Sequence, residues 1–173
     1  RSQEEAVRCA ALSACMVLTG GPGTGKTSTI TAILHMFREA HARIVLCAPT
    51  GRAAKRMTEA TGHEASTIHR LLEFNPHEGV FQRDRENPIE ADLVIVDEFS
   101  MVDISLAASL MRALDKNTRL IIVGDHYQLP SVGPGSVLRD LLAAAVPSFE
   151  LTQIKRNTGD IVQACHAIKD GRR

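Results

Sequence analysis

Hydrophobic residues occur along the chain in two alternating patterns: short continuous runs, and longer stretches with apolar positions at helical spacing. The continuous runs predict buried strands at residues 16–18, 44–47, 93–96, 120–123 and 149–151. Between these runs, apolar residues recur every three or four positions, as on one face of a helix. Strands that alternate with helices form a parallel sheet covered by helices, so the pattern predicts a doubly wound α/β domain.

Helix boundaries follow from capping residues and from the ends of the apolar spacing. Thr50, Asp103 and either Ser66 or Thr67 precede helical stretches, and their side-chain oxygens are typical of helix N-caps. The predicted helices are one from the cap Ser2 to about residue 14, one ending near residue 42, one beginning after Thr50, and four at about 68–72, 104–114, 136–145 and 160–169.

Residues 74–91 interrupt this alternation. The segment contains two prolines and a Glu78-Gly79 turn signal, which predicts a small surface hairpin or excursion. A chain of 173 residues suffices for one α/β domain with a full core but not for two. We therefore predict one domain over residues 1–150, with the excursion at about 74–91.

Composition limits the classes of function only weakly. Twenty basic and twenty acidic residues give a formal net charge of +0, so a nucleic-acid partner would need a local basic patch. No run approaches the roughly 18 apolar residues of a membrane span, which argues against a membrane partner. Cys9, Cys15, Cys47 and Cys165 show no C-x-x-C spacing, so we expect free thiols in a cytoplasmic protein.

A glycine-rich loop connects the first predicted strand to the second predicted helix. Gly20, Gly25, Lys26 and Thr27 match the pattern G-x-x-x-x-G-K-[ST], in the strand–loop–helix context that a phosphate-binding loop requires. Backbone N–H groups and the positive end of the following helix would bind the phosphates of ATP. Lys26 would reach the β- and γ-phosphates, and Thr27 would bind Mg²⁺. The alternative is a glycine turn without a ligand. The predicted nucleotide-binding residues of the loop are Gly21, Pro22, Gly23, Thr24, Gly25, Lys26, Thr27 and Ser28.

Two adjacent acids follow the predicted strand 93–96, at the edge where ligands of open α/β sheets bind. We expect Asp97 to hold Mg²⁺ through its water shell and Glu98 to polarise an attacking water. Gln128, in the loop after the strand 120–123, can orient water or contact the γ-phosphate. The alternatives are a solvated turn for the two acids and a turn or capping role for Gln128.

Seven motifs run in order through nearly the whole chain. They are Gln3 with Ala6-Val7, GGPGTGKT (20–27), APTGRAA (48–54), STIHRLL (66–72), VDEFSM (96–101), GDHYQLPSVGPGS (124–136) and LTQIKR (151–156). Several are weak alone, but together they resemble the RecD-like helicases, the 5′→3′ branch of superfamily one that includes the alpha subunit of exodeoxyribonuclease V and its stand-alone relatives. The resemblance implies a P-loop NTPase with a RecA-like, three-layer fold and a mostly parallel central sheet. It also implies that the strand 120–123 lies between the strands 16–18 and 93–96.

The same resemblance implies roles for individual residues. Gln3 looks like the glutamine that reads adenine, and Arg156 looks like the motif IV arginine that stabilises charge on the transferred phosphoryl group. Asp97 and Glu98 are similar to the magnesium ligand and the catalytic base, and Gln128 to the γ-phosphate sensor. The implied catalytic residues are Lys26, Asp97, Glu98, Gln128 and Arg156. The implied cofactors are ATP and Mg²⁺.

Two further segments resemble the DNA-facing motifs of the family. The matching residues are Pro49, Thr50, Arg52, Thr67 and His69. The threonines, the arginine and the histidine are donors suited to phosphate oxygens, which is the sequence-independent contact that a motor on single-stranded DNA needs. Lys55 and Arg56, on the same predicted helix as Arg52, have an alternative interpretation as an ordinary solvated helix face.

The resemblance therefore implies an ATP-binding and hydrolysing motor domain of a 5′→3′ DNA helicase, with single-stranded DNA and other helicase–nuclease subunits as partners. Such helicases need a second RecA-like domain, and we identify no motif for one after Arg156. We expect the sequence to be a fragment that hydrolyses ATP weakly alone, with residues 151–173 as a border segment. The alternative is a nucleotide-gated module that binds DNA or protein. A P-loop kinase would not account for Gln128 or the DNA-facing motifs.

Overall fold

The computed structural model describes residues 3–152 and contains a central sheet of six strands and a separate pair. The strands are β1 (Cys15–Gly20), β2 (Ile44–Ala48), β3 (Ala65–Thr67), β4 (Phe74–Asn75), β5 (Val80–Phe81), β6 (Leu93–Val96), β7 (Arg119–Gly124) and β8 (Ser148–Leu151). The order in the central sheet is β3-β2-β6-β7-β1-β8. Every neighbouring pair in it is parallel, which confirms and sharpens the predicted, mostly parallel sheet.

Helices cover both faces of this sheet. They are α1 (Gln3–Leu12), α2 (Lys26–Glu39), α3 (Gly51–Thr61), α4 (Ile68–Leu71), α5 (Ile104–Arg112) and α6 (Val137–Ala143), with a 3₁₀ turn at Phe99–Met101. Because side chains alternate across a strand, β6 contributes to two cores. Val94 belongs to the core that includes Leu110 of α5 and Leu138 of α6. Ile95, the next residue, belongs to the core that includes Ile33 of α2. The structure thus confirms the three-layer α/β fold.

The centre of the sheet explains where the functional loops lie. All four residues of β6 are fully buried, as expected for a strand covered by helices on both faces. β7 lies between β1 and β6 and pairs with both, which confirms the predicted strand order. Since all strands are parallel, their carboxyl ends and the loops that follow lie at one edge of the sheet.

Some elements differ from the sequence prediction. α2 ends at Glu39 rather than near residue 42, because His41 adopts a left-handed conformation with φ 56° that ends the helix. α5 likewise ends at Arg112, two residues before the predicted end. The sequence pattern does not predict β3 at all. Its residues Ala65–Thr67 form a half-buried edge strand without an apolar run, and a search for apolar runs cannot detect such a strand.

The structure confirms a surface hairpin within residues 74–91. β4 and β5 pair antiparallel, with Phe74 opposite Phe81. At the base of the hairpin, the guanidinium of Arg83 donates to Glu73 Oε1 at 2.7 Å. The backbone N–H of Gln82 also donates to the carbonyl of Leu72 at 3.1 Å, which connects the hairpin to the end of α4.

Other expectations concern the thiols and the ends of the chain. Burial raises the pKa of the Cys47 thiol to about 12, while Cys9 and Cys15 are half-buried, and all three are free thiols. Ser2, Cys165, the predicted helix 160–169 and most of the border segment 151–173 lie outside the described residues. Within residues 3–152, no helix has both the length and the apolar character needed to cross a membrane.

The end of α6 holds an alanine in an unfavourable conformation. Ala145 has φ 57°, which a Cβ disfavours and which glycine adopts freely. We expect Ala145→Gly to raise the free energy of unfolding by about 0.5–1 kcal/mol, because it removes this conflict. The matched control is Ala144→Gly, one residue earlier at φ −75°, which should destabilise the protein. Thermal unfolding measures both changes, and a lower midpoint for Ala145→Gly would contradict the prediction.

Candidate functional site

The glycine-rich loop turns between β1 and the N-terminus of α2. Gly25 caps α2 with φ 89°, a conformation open to glycine and rare for other residues. Gly20 is required for a different reason: a Cβ there would lie 2.7 Å from Thr24 Oγ1 and 2.8 Å from the carbonyl oxygen of Leu151. The Thr24 hydroxyl in turn donates to the carbonyl of Gly21 at 2.8 Å. The loop is therefore packed closely against β8 and against itself.

Lys26 is held inside this loop. Its Nζ donates to the carbonyl oxygens of Gly20 at 2.6 Å and Gly21 at 3.1 Å. A cavity of about 200 Å³ lies over the loop. Its lining residues, all predicted from the sequence, are Gly21, Gly23, Thr24, Gly25, Lys26, Thr27 and Ser28. With the N-terminus of a 14-residue helix at its base, this cavity has the donors and the positive potential that suit phosphate groups.

Gln3 lies beside the same loop. Its Nε2 donates to the carbonyl of Gly25 at 3.1 Å, so α1 is joined to the start of α2. This contact puts Gln3 next to the predicted phosphate site, and its predicted role in reading adenine stays a prediction.

The acidic pair lies at the carboxyl end of β6. The backbone N–H of Asp97 donates to the carbonyl of Cys47 on β2 at 2.9 Å, and Asp97 Oδ1 accepts a hydrogen bond from the backbone N–H of Glu98 at 2.9 Å. Both acids line a cavity of about 260 Å³ together with Thr27 and Arg56. Thr27 belongs to this cavity and also to the one over the phosphate loop. The two cavities therefore share Thr27 as a lining residue.

The donor set around Thr27 fits magnesium. Thr27 and Asp97 supply a hydroxyl and a carboxylate, and hard cations such as Mg²⁺ prefer oxygen ligands. Within residues 3–152, no cluster of three or more His, Cys, Asp or Glu residues could hold a metal ion by itself. Mg²⁺ here would therefore need waters and nucleotide phosphates as further ligands, which is its usual coordination.

Burial raises the pKa values of both acids. Desolvation raises the pKa of Asp97, although the hydrogen bond from the Glu98 N–H and the charge of Lys26 oppose it. Desolvation also raises the pKa of Glu98, with added repulsion from Asp97 and Asp125, while Lys26 and Arg56 lower it. A carboxylate with a raised pKa is a better proton acceptor near neutral pH, as general-base catalysis requires.

Glu98 also has an unusual backbone conformation. Its φ of 53° and ψ of 37° lie in the left-handed region, which costs a residue with a side chain on the order of 1–3 kcal/mol. The fully buried Phe99 follows it and anchors the 3₁₀ turn in the core. Strain of this kind persists only where the surrounding packing imposes it, and it is concentrated at functional sites. The sequence gives no signal for this conformation.

The loop after β7 reaches the same edge. The carboxylate of the buried Asp125 accepts a hydrogen bond from the Tyr127 N–H at 3.0 Å, and the Gln128 N–H donates to the Asp125 carbonyl at 3.1 Å. His126 Nδ1 lies 2.7 Å from Thr19 Oγ1, which joins this loop to β1 just before the phosphate loop. The sequence does not predict this bond, because no spacing rule relates residues 19 and 126. The side chain of Gln128 is exposed and lines a pocket with Ser100 and Asp125 that includes neither Asp97 nor Glu98.

The predicted DNA-facing residues lie at or just after the ends of the neighbouring strands β2 and β3. Thr67 at the end of β3 pairs with Ala48 at the end of β2, and Thr50 follows two residues later. Both threonines are helix caps: Thr50 Oγ1 accepts from the Ala53 N–H at 3.2 Å, and Thr67 Oγ1 accepts from the Arg70 N–H at 3.1 Å. Each hydroxyl hydrogen can still be donated. Pro49 is half-buried and Arg52 is exposed at this edge.

His69 has a neighbourhood that the sequence did not predict. Its ring packs edge-on against Phe74 at 5.5 Å between centroids and tilted against Phe81 at 5.6 Å. The exposed His69 is thus part of an aromatic cluster with the hairpin, and not an isolated donor on α4. Arg156, predicted to act on the γ-phosphate, lies outside the described residues.

Comparison with known proteins finds one matching family model and several relatives. The model, described as an AAA domain, matches residues 3–134. The ATP-dependent RecD2 DNA helicase of Deinococcus radiodurans is 44% identical over 158 residues, which cover 90% of this chain and 22% of that protein. The RecBCD enzyme subunit RecD of Mycolicibacterium smegmatis is 41% identical over 164 residues, which cover 81% of this chain and 30% of that protein. These similarities confirm the resemblance to RecD-like helicases, of which the chain spans less than a third.

Solved structures of Pif1 helicases have a similar fold. In one, from a study of two Pif1 helicases unwinding forked double-stranded DNA, the TM-score is 0.70 at 20% identity, covering 99% of this chain and 48% of that chain. In the Pif1 helicase of Candida albicans, the TM-score is 0.66 at 24% identity, covering 98% of this chain and 43% of that chain. At this identity the likeness concerns the fold alone, and it agrees with the α/β sheet described above.

Lys26 provides the direct test of the phosphate site. We expect Lys26→Ala to weaken the binding of magnesium–ADP and magnesium–ATP by about 1.5–3 kcal/mol, because a charge-assisted contact to phosphate oxygens is lost. Calorimetric titration measures the change. Lys55→Ala, which removes an exposed lysine that lines neither cavity, is the control and should leave the affinity unchanged. Thermal unfolding of Lys26→Ala must accompany the titration, since Lys26 also bonds two loop carbonyls. Equal affinities in a folded variant would refute the assignment.

Proposed function

The chain belongs to the family described as an AAA domain, and on that premise we propose that it is the ATP-binding and hydrolysing motor domain of a 5′→3′ DNA helicase. The observation that carries this proposal is that two cavities share Thr27 as a lining residue. The phosphate loop lines one of them, and Asp97 and Glu98 line the other. A triphosphate bound over the loop would therefore point its terminal phosphate toward the acidic pair.

Each site residue has a proposed role in this reaction. Lys26 exchanges its bonds to loop carbonyls for bonds to the β- and γ-phosphates. Thr27 and Asp97 would hold Mg²⁺, which would supply positive charge to the phosphate oxygens. Glu98 accepts the proton of the attacking water, and Gln128 orients that water or contacts the γ-phosphate. The roles proposed for residues at the two ends of the chain are adenine recognition by Gln3 and charge stabilisation by Arg156.

Single-stranded DNA is the proposed second ligand. The residues proposed to contact it are Pro49, Thr50, Arg52, Thr67 and His69. The parallel pairing of β2 and β3 supports this role, because it brings the ends of the two strands to one edge. Contacts from hydroxyls and a guanidinium to phosphates carry no sequence information, as a motor that moves along a strand requires.

The proposal also covers location and partners. RecD2 is named an ATP-dependent DNA helicase and RecD a subunit of the RecBCD enzyme, and the chain spans 22% and 30% of these proteins. We propose that the whole protein acts in the cytoplasm, and that subunits of a helicase–nuclease complex are candidate partners. The competing function is a nucleotide-gated binding module, in which ATP changes the affinity for DNA but DNA does not accelerate ATP hydrolysis.

Glu98 separates hydrolysis from binding. We expect Glu98→Gln to keep the affinity for magnesium–ATP within about twofold and to lower the hydrolysis rate by roughly 10²–10⁴, because the amide cannot accept the proton of water. Phosphate release with and without single-stranded DNA measures the rate. Glu59→Gln, an exposed change on α3, is the control. Hydrolysis by Glu98→Gln at the parent rate would show that Glu98 is not the base. DNA-independent hydrolysis in the unsubstituted full-length protein would favour the gated module.

Arg52 tests how DNA is recognised. We expect Arg52→Ala to weaken the binding of two oligonucleotides of unrelated sequence by a similar factor, and to reduce the slope of log affinity against log salt by about 0.7. Fluorescence anisotropy over a salt series measures both quantities. Lys55→Ala removes one positive charge from the same helix and is the control. Because Lys55 Nζ lies 3.9 Å from Glu59 Oε1, this change should reduce the slope of log affinity against log salt less. A large loss on one oligonucleotide alone would indicate base recognition and contradict the proposed contact.

A further inference from the structure

Two adjacent basic residues on α3 have different surroundings. Lys55 Nζ lies 3.9 Å from Glu59 Oε1, and both side chains are largely exposed, as on an ordinary solvated helix face. Arg56, one residue on, lines the cavity of Asp97, Glu98 and Thr27. Within residues 3–152 it forms no ion pair with a carboxylate of its own helix. Arg56 is exposed as well, but an ordinary solvated helix face does not account for its place in this cavity.

The charges around Glu98 suggest what Arg56 does there. Asp97 and Asp125 both repel the Glu98 carboxylate, while Lys26 and Arg56 attract it. Lys26 is held at the phosphate loop, where its two carbonyl bonds leave it close to any bound phosphate. Once Lys26 is engaged by the nucleotide, Arg56 is the remaining cation among these four neighbours that attracts Glu98. An arginine suits this task because its planar guanidinium can donate two parallel hydrogen bonds to a carboxylate.

The position of Arg56 on a rigid element supports the same role. α3 is fixed at its start by the Thr50 cap, and Ala54 and Met57 of the helix are buried. Met57 belongs to the core that also holds Ile95 of β6, the strand that ends at the acidic pair. The backbones that carry Arg56 and Glu98 are therefore held by one packed core. A guanidinium presented from this helix can reach the cavity without a change in the fold.

We propose that Arg56 is a positioning residue, whose guanidinium holds the Glu98 carboxylate in the orientation that accepts a proton from the attacking water. The inference rests on the proposed ATP hydrolysis at this site. Arg56 itself need not contact the nucleotide or DNA. Its removal leaves Glu98 in place as a base but free to turn toward other donors or away from the two repelling carboxylates.

A double-mutant cycle tests this role, because a residue that acts through Glu98 has no effect once Glu98 is gone. We expect Arg56→Ala to lower kcat by about 10- to 100-fold, the scale of a misplaced catalytic group, while KM for ATP changes by less than about twofold. Arg56→Lys should recover part of the loss. In the Glu98→Gln background, Arg56→Ala should cause no further loss. Lys55→Ala is the matched control and should keep the parent rate.

A binding measurement supplies a readout that does not depend on turnover. We expect Arg56→Ala to bind magnesium–ADP and a non-hydrolysable ATP analogue as the parent does, but to bind magnesium–ADP–aluminium fluoride more weakly, because that complex includes the positioned water. Affinity for single-stranded DNA should stay at the parent value, unlike that of Arg52→Ala. Thermal unfolding confirms that each variant is folded.

Four results would overturn the inference. A parent-like kcat in Arg56→Ala would make Arg56 a solvated side chain. A loss as large in the Glu98→Gln background as in the parent, or a selective loss of the ATP analogue, would show that Arg56 contacts the phosphate directly. Weakened DNA binding would make it a DNA contact. An inactive parent chain, or Glu98→Gln with the parent rate, would overturn the proposed function and this inference together, whereas the first three outcomes leave the function intact.

Discussion

The fold depends on a parallel sheet whose central strands are buried on both faces. A parallel strand needs a crossover connection before the chain can return, and these connections supply the helices that cover it. As a result, every candidate functional loop leaves the sheet at the same edge. The phosphate loop follows β1 and the acidic pair follows β6, with β7 between them. Two strand spacings, about 10 Å, therefore set the scale of the site.

The candidate site brings several charged side chains together in a partly desolvated space. Asp97, Glu98 and Asp125 come from two neighbouring strands, and Lys26 and Arg56 balance them from two different helices. Because Asp97, Glu98, Asp125 and Lys26 are buried or half-buried, each charge changes the state of the others more than it would at the surface. The left-handed backbone of Glu98 costs conformational free energy, which the burial of the neighbouring Phe99 can offset. The acidic pair is thus supported by the core directly behind it.

The periphery of the site is connected by contacts between distant segments. Thr19 and His126 join β1 to the loop that carries Gln128, so the phosphate loop and the proposed sensor have a common anchor. At the other side of the sheet, His69 packs with Phe74 and Phe81, which joins α4 to the hairpin. A displacement of one segment in either pair would therefore disturb the other segment, because each contact involves a ring with defined neighbours.

The elements and the local chemistry could be predicted from the order of the amino acids. Continuous apolar runs gave β1, β2, β6 and β7, because a strand buried on both faces cannot tolerate polar residues. The phosphate loop could also be predicted from the sequence, because its local geometry requires glycines and Lys26 at a fixed spacing. Helix caps such as Thr50 and Asp103 could be predicted for the same reason, because each side chain accepts a hydrogen bond from the N–H three residues later.

Which distant residues contact each other depends on how the elements pack together. The edge strand β3 has no apolar run, since an edge position buries little surface. The Thr19–His126 bond and the approach of Arg56 to the acidic pair depend on strand order and helix rotation, which no short spacing encodes. The left-handed backbone of Glu98 precedes the fully buried Phe99, and strain of this kind persists only where the surrounding packing imposes it. Caps and loop motifs depend on residues that are close in the sequence, so they can be predicted from it. The features above depend on how the whole chain packs.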